Sequence, residues 1–500
     1  MKVALVLCPQ WDTIWATFAP ALLTAQLKSR GHEAEFYDIN RAICELEAGP
    51  PAPAGAGRCF EPTVSIDNPW MDEEHVNSVS FPRHQKYLTS VVERIVSSGA
   101  KVAAFSVYVF NRPAALLMAR LVKEKDPSII TVFGGPQCLN FNSAREIASD
   151  DWADAVFFGE ADDSFPAFID SFEKEGRLIP MPGVLLSCQN GAWTEQKPPS
   201  PDMDQLPFAD YTGYDLGLYY GKIINTHRGC VRRCTFCTEW IAMKYRRMSS
   251  ARAFAEICHQ LEREPKINKF MFGDSLCNSS MKGLAELCGL VISNRTAIEW
   301  SAYAIARPEM GGAILEEMRR SGCKNLFYGV ETGSDRLLRI VSKNTTAALN
   351  ARVLEETRRA GINTNVGWIV GLPEETEDDF QDSLRFLRAQ ARNISRLNVN
   401  MAFLNSELAD PGYIREKGII PHSLYWRLKN GLNTFPVRIK RMMETVNTCR
   451  EHGIPFAVMG GYSTYEGISG YLVRCMENYE NYLPRENAAV SLWESRSGLS

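Results

Sequence analysis

No run in this 500-residue chain comes near the ~20 consecutive apolar residues that carry a helix across a bilayer, so no membrane partner is expected. The opening stretch MKVALVLCPQWDTIW has an apolar run broken by Pro9, Gln10 and Asp12. It lacks the basic region and small-residue cleavage site of an export signal, and the expected location is cytoplasmic. Charge of one sign is missing as well: 23% of residues are charged, and the net charge is only -4. Nothing in that balance suggests a nucleic-acid partner. There is no repeat and no low-complexity tract. Cysteine is not scarce, at 14 residues, but the short chain and export signal of a disulfide scaffold are both lacking. Cys44, Cys59, Cys138, Cys188, Cys258, Cys288, Cys323, Cys449 and Cys475 show no mutual spacing suited to a metal and read as small buried hydrophobes.

What is there is the composition of a folded protein, 45% hydrophobic, with length for roughly two to four domains. Residues 1–175 alternate β-rich runs, at 2–9, 33–40, 102–110, 129–137 and 155–160, with helical spacing over 17–29, 85–98 and 113–125. This predicts an α/β, flavodoxin-like (Rossmann) domain with its ligand at the carboxyl ends of the strands. Residues 48–82, rich in Pro, Gly and Ala and then acidic, read as a long excursion, either a lid or a loop. A Pro-dotted linker is expected over 176–215. A second alternation follows, with strands at 223–227, 269–274, 299–306, 325–331, 365–370 and 396–403. It predicts a partial (β/α)6 barrel over 216–404, again with its chemistry at the strands' carboxyl ends. Residues 405–500 read as mainly helical, with a short strand at 456–459 and a role in closing the barrel mouth over substrate.

Directly after the first barrel strand comes HRGCVRRCTFCTEW, in which Cys230, Cys234 and Cys237 form C-x3-C-x2-C. Three thiolates on one loop can hold three irons of a four-iron cubane and leave the fourth open to a ligand. A zinc site would need a fourth Cys or His, normally from a second pair, and none follows at such spacing. Arg228, Arg232, Arg233, Lys244, Arg246 and Arg247 crowd this stretch. They either form a solvated face, offset cluster charge or bind an anionic partner.

At these residues the chain resembles the radical S-adenosylmethionine superfamily, whose signature is C-x3-C-x-aromatic-C, with Phe236 as the aromatic. The resemblance implies a 4Fe-4S cluster, S-adenosylmethionine on its open iron, and an electron donor such as flavodoxin or ferredoxin. Reductive cleavage of the sulfonium would then yield a 5'-deoxyadenosyl radical. By the same resemblance, Gly273 and Asp274 in FGDSLCN stand where the family contacts the methionine amino group, although the common Gly-Gly-Glu form is absent. Glu331 stands where the ribose or amino acid part is held, and Gly371 and Pro373 where backbone approaches adenine. Ser301 and Tyr303 are either ligand contacts or core, and Arg307 either pairs with a carboxylate or is a surface charge.

The N-terminal features narrow the class. Ser106 and Tyr108 fall on the third strand, Gly134, Gly135, Pro136 and Gln137 end the fourth, and Gly159 and Glu160 follow the fifth. Together with the barrel behind them, these resemble the cobalamin-binding radical S-adenosylmethionine class over roughly residues 1–405. The Asp-x-His-x-x-Gly stretch of many cobalamin domains is replaced by CPQWDTIW. Cobalamin would therefore lack a histidine ligand and have Gln10, Trp11 or water at its lower face.

The expected activity is methylation of an unactivated carbon of a small molecule or peptide through methylcobalamin. The alternatives are cyclisation, ring contraction or oxidation with the same cofactors, methylthio transfer, and a non-catalytic cobalamin or redox sensor. Methylthio transfer would need a second three-cysteine cluster, for which Cys8, Cys44 and Cys59 are the candidates, and a small nucleic-acid-binding β-domain at the C-terminus.

Overall fold

A parallel strand covered on both faces reads as an unbroken apolar run, and β1 (Lys2–Leu7, KVALVL) is buried from Val3 to Leu7. The computed structural model describes residues 1–48, 68–189, 191–237, 239–403, 411–420, 424–459 and 462–482. The chain divides into one unit of Met1–Asn225 with Arg247–Met271 and another of Thr226–Arg246 with Phe272–Ser500.

In the first unit, β1 is joined by β2 (Glu33–Asp38), β3 (Val102–Ser106), β4 (Ile130–Gly134), β5 (Ala155–Phe157) and β6 (Val184–Leu186) in the spatial order β2-β1-β3-β4-β5-β6. The first five pair in parallel. That is the doubly wound order expected from the alternation, with its switch point between β1 and β3. Each strand begins within a residue of its expected start. Each ends two to four residues early, because the residues that follow leave the sheet at its carboxyl edge, after β2 directly into the helix Ile39–Ala48.

Two features differ from the reading of the sequence. Val184–Leu186, inside the expected linker, pairs antiparallel with β5; three residues are too few to show a period. The described end of the 48–82 excursion is helical, with turns at Pro69–Met71 and Glu73–His75 that run into the helix Phe81–Ser97. Asn68 and Asp72 cap these turns, and Trp70 is buried in the core. Residues 49–67, including Cys59, lie outside the described residues. Further strands of this unit are Trp15–Ala16, paired in parallel with β7 (Gly221–Ile224), and β8 (Lys269–Phe272).

The second unit contains β9 (Glu299–Ala304), β10 (Cys323–Glu331), β11 (Asn363–Val370), β12 (Arg396–Met401) and β13 (Phe456–Val458), all parallel neighbours in that order. Side chains alternate across a strand. In β10, Leu326, Tyr328 and Val330 are buried while Asn325, Phe327, Gly329 and Glu331 are half-buried. In β11, Val366, Trp368 and Val370 are buried while Asn365, Gly367 and Ile369 are not. One face is thus core under helices, and the other is left partly open with polar and small residues. The helices start where Ser or Thr caps stand: Ser280, Ser334, Thr346, and Thr376 in a capping box with Asp379. The C-terminal region is helical at Pro411–Lys417, Phe435–Glu451 and Tyr465–Tyr482, and the expected strand at 456–459 is β13. The rest of 405–500, including Gly460 and Gly461 of the MGGYSTYEG stretch, lies in part outside the described residues.

Candidate functional site

The cysteine loop is rooted by a buried carboxylate. Asp274, two residues past β8, accepts hydrogen bonds from Thr226 N (2.7 Å), Thr226 Oγ1 (2.5 Å) and His227 N (3.0 Å), and faces His227 Nδ1 at 3.3 Å. Burial alone would push the Asp274 pKa up. The His227 and Thr226 interactions outweigh it and hold the carboxyl below its ordinary value. These four contacts engage the carboxylate with the start of the loop that carries Cys230.

Cys234 is buried, and Cys230 and Cys237 are half-buried. Burial raises all three thiols, Cys237 to about 11. The Arg232 N–H donates to Cys230 Sγ at 3.4 Å. Among the described residues, no three His, Cys, Asp or Glu side chains are grouped to hold a single metal ion. A soft donor set of three thiolates suits an iron-sulfur cubane, in which each thiolate takes its own iron and none is shared.

Phe236 packs on Leu337, Val341 and Leu372. Thr235 N donates to Val341 O at 3.2 Å, which ties the cysteine loop to the turn after the helix Asp335–Ile340. That turn delivers Lys343, whose Nζ donates to Glu331 Oε1 at 2.7 Å and lies 5.5 Å from the Phe236 ring centroid. Both charged side chains are nearly buried, 8% and 12% exposed. Glu331 ends β10 at φ +67°, a left-handed conformation that a non-glycine residue seldom adopts. A Cβ on Gly329 would stand 2.6 Å from Glu331 Oε1 and 2.7 Å from Lys343 Nζ, so only glycine leaves room for the pair. Lys343 escaped the sequence reading. Its local signal was faint: a lysine between Ser342 and Asn344 at the end of an apolar run.

The other expected barrel residues have varied surroundings. Ser301 is buried and accepts from Asn325 Nδ2 at 2.9 Å, whereas Tyr303 is 49% exposed on the open face, its ring 5.3 Å from that of Phe327. Gly273 is exposed. Arg307 donates to the carbonyls of Asn278 and Ser279 at 2.9 and 3.1 Å and to Glu309 at 3.3 Å, so it braces the loop after β8.

Gly371 (φ +83°) follows β11, and a Cβ there would lie 2.3 Å from Arg438 Cδ. Arg438, on the helix Phe435–Glu451, is buried and donates to the carbonyls of Asn433, Leu424 and Trp426. Gly371→Ala is expected to cost about 1–3 kcal/mol through overpacking and left-handed strain. A denaturant melt that superimposes on wild type would refute this.

In the first unit, every residue expected near cobalamin stands at the carboxyl edge of the sheet: Gln10 and Trp11 after β1, Ser106 and Tyr108 at and after β3, Gly134 to Gln137 at the end of β4, Gly159 and Glu160 after β5. Trp11 stacks on Tyr108 (centroids 3.7 Å apart, 17° between planes) and lies 6.1 Å from Phe110. Gly135 has φ +112°, and a Cβ there would meet Val107 O at 2.9 Å. Its freedom from a side chain is thus already required by the neighbouring loop. Gly159 similarly faces the Pro198 ring at 3.2 Å.

Asn111 is a residue the sequence reading missed. It looks like a helix cap before Arg112–Lys125 but makes no cap hydrogen bond. Fully buried, it donates to Cys8 O and Ser106 O (3.1 Å each) and accepts from Tyr108 N, stitching together the ends of β1 and β3 at the switch point. Cys8 is buried in this core, where desolvation holds its thiol far above the ordinary range.

The class follows from these parts. Residues 224–387 match the Radical SAM superfamily, and this segment is a radical SAM domain, whose cofactors are a 4Fe-4S cluster and S-adenosylmethionine. Among similar proteins, the chain is 23% identical to an uncharacterized methyltransferase of Pyrococcus horikoshii (55% of this chain, 61% of that protein). It is 24% identical to the anaerobic magnesium-protoporphyrin IX monomethyl ester cyclase of Rubrivivax gelatinosus (54% of this chain, 50% of that protein). The chain thus spans about half to three-fifths of the length of these relatives. In fold it resembles the radical S-adenosylmethionine methyltransferase TsrM of Kitasatospora setae, solved with cobalamin and a [4Fe-4S] cluster, at 17% identity and a TM-score of 0.61 over 83% of this chain and 75% of that one. No helix among the described residues is long and apolar enough to cross a membrane.

Proposed function

We propose that the protein is a cobalamin-dependent radical S-adenosylmethionine enzyme that methylates an unactivated carbon of a small molecule or peptide. The observation that carries this reading is the loop of Cys230, Cys234 and Cys237 with the buried Glu331–Lys343 pair beside it, inside a radical SAM domain. The three cysteines would hold the cluster. Glu331, Gly273, Ser301, Tyr303 and Arg307 would line the S-adenosylmethionine site, with Asp274 setting the loop and Gly371 the helix that packs beside it. Gln10, Trp11, Ser106, Tyr108, Gly134, Gly135, Pro136, Gln137, Gly159 and Glu160 would hold cobalamin at the edge where a doubly wound sheet binds its ligand. When bound, these cofactors supply a carbon-centred radical and a transferable methyl group; the protein orients them and excludes water. An electron donor of the flavodoxin or ferredoxin type would feed the cluster. The proposed layout is a cobalamin domain over 1–175, a linker over 176–215, a barrel over 216–404 and a capping region over 405–500, in the cytoplasm.

The test is anaerobic reconstitution with iron, sulfide and hydroxocobalamin, followed by incubation with S-adenosylmethionine, a reductant and candidate substrates. Retained corrinoid absorbance, 5'-deoxyadenosine and a product heavier by one methylene unit are expected. Exclusion of the corrinoid would sink the reading. Turnover without added mass would favour a second reading, oxidative cyclisation, which the likeness to the cyclase supports.

A further inference from the structure

Lys343 is held in place more firmly than a charge on a loop requires. Ser342 and Asn344 both have φ +53°, so a left-handed residue flanks the lysine on each side. Left-handed conformations of this kind are costly for residues other than glycine and persist only where the surroundings impose them. The surroundings here are explicit: Lys343 N donates to Leu338 O at 3.0 Å, and Val341 O accepts from Thr235 N at 3.2 Å, between Cys234 and Phe236. Gly329 is empty where any side chain would push Nζ or the Glu331 carboxylate away. Burial would drive the Lys343 ammonium toward neutrality, but Glu331, Cys234 and Cys237 together hold it charged.

We propose that Lys343 is a positioning residue of the cluster site, whose ammonium fixes the Glu331 carboxylate and raises the cluster's reduction potential by stabilising its more negative reduced state. This inference rests on the cluster reading. Reduction brings one electron from the reductant into a cluster held by three thiolates and makes it more anionic by one charge. A buried cation 5.5 Å from the ring of Phe236, a residue of the cysteine loop between Cys234 and Cys237, favours that state, whereas the Glu331 carboxylate opposes it. Net charge and burial are among the terms that set iron-sulfur potentials. A cation that served packing alone would leave the potential unmoved when replaced by a neutral chain of equal length.

The measurement is a redox titration of anaerobically reconstituted protein, without S-adenosylmethionine, followed by electron paramagnetic resonance and paired with iron quantitation. Lys343→Met is expected to keep its iron and its signal. The ratio of reduced to oxidised cluster at the wild-type midpoint should fall about tenfold, equivalent to roughly 59 mV toward more negative potential. Lys343→Arg should stay near wild type. Glu331→Gln should move the midpoint the other way, and this sign test stands even where Lys343→Met fails to assemble. Wild-type signal with an unmoved Lys343→Met midpoint overturns the role of Lys343 alone, as does a Glu331→Gln midpoint that is unmoved or more negative. A wild-type protein that yields no four-iron signal overturns the cluster reading and this inference together.

Discussion

Alanine at Cys230, Cys234 or Cys237 is expected to take the iron content of reconstituted protein from about four per chain to near zero and to abolish reductive cleavage of S-adenosylmethionine with it. Two thiolates hold only two irons of a cubane, so the loss of any one cysteine leaves a cluster iron without its protein ligand. The fold should survive the change. Cys230 and Cys237 are half-buried on a loop that is separately pinned by Asp274 and by the Thr235–Val341 hydrogen bond. The far-ultraviolet circular dichroism of each variant should therefore match wild type while the broad visible absorbance of the cluster vanishes. Full iron loading in any of the three variants would remove that cysteine from the ligand set.

Asp274→Ala carries the second largest expected effect, a loss of about 3 kcal/mol or more in stability. It strips the buried acceptor from Thr226 N, Thr226 Oγ1 and His227 N, and removes the carboxylate that faces His227 Nδ1. The loop that bears Cys230 would loosen at its root, so hydrogen exchange over residues 226–234 should speed up along with the drop in melting temperature. The pH dependence has a definite sign. Because the folded pKa of Asp274 lies below its ordinary value, its stabilisation is complete above the ordinary value near 3.9. It is lost as pH falls through the lower folded value. Wild type should lose this increment on acidification and Asp274→Ala should not. An Asp274→Ala protein with wild-type melting and exchange would show that the carboxylate does not hold the loop.

Much of the architecture was readable before any coordinates. Strands such as KVALVL announce themselves because a buried parallel strand needs a continuous apolar run, and the start of every expected strand in the first sheet falls within a residue of its observed position. The cysteine loop was legible for a similar reason: cluster ligands this close in sequence form a local pattern. Asp274 was singled out as a contact for the methionine amino group. The sequence puts it at the end of a strand over 269–274, whereas the strand stops at Phe272, and the loop donors that engage its carboxylate are not visible in the pattern. Gly371 was read as a place for adenine, and the side chain that fills the space beside it belongs to Arg438, 67 residues further on.

The sequence by itself determined the alternation of strands and helices, the doubly wound order implied by it, and the three-thiolate motif, since each depends on residues near one another along the chain. Only the tertiary structure decided that Lys343 meets Glu331 beside Phe236, that Asn111 stitches β1 to β3, and that Gly329 and Gly135 are small for the sake of particular neighbours. Those facts turn on strand register and on left-handed turns at Glu331, Ser342 and Asn344. A few degrees of backbone there, set by packing from distant segments, decide whether two charges meet or miss.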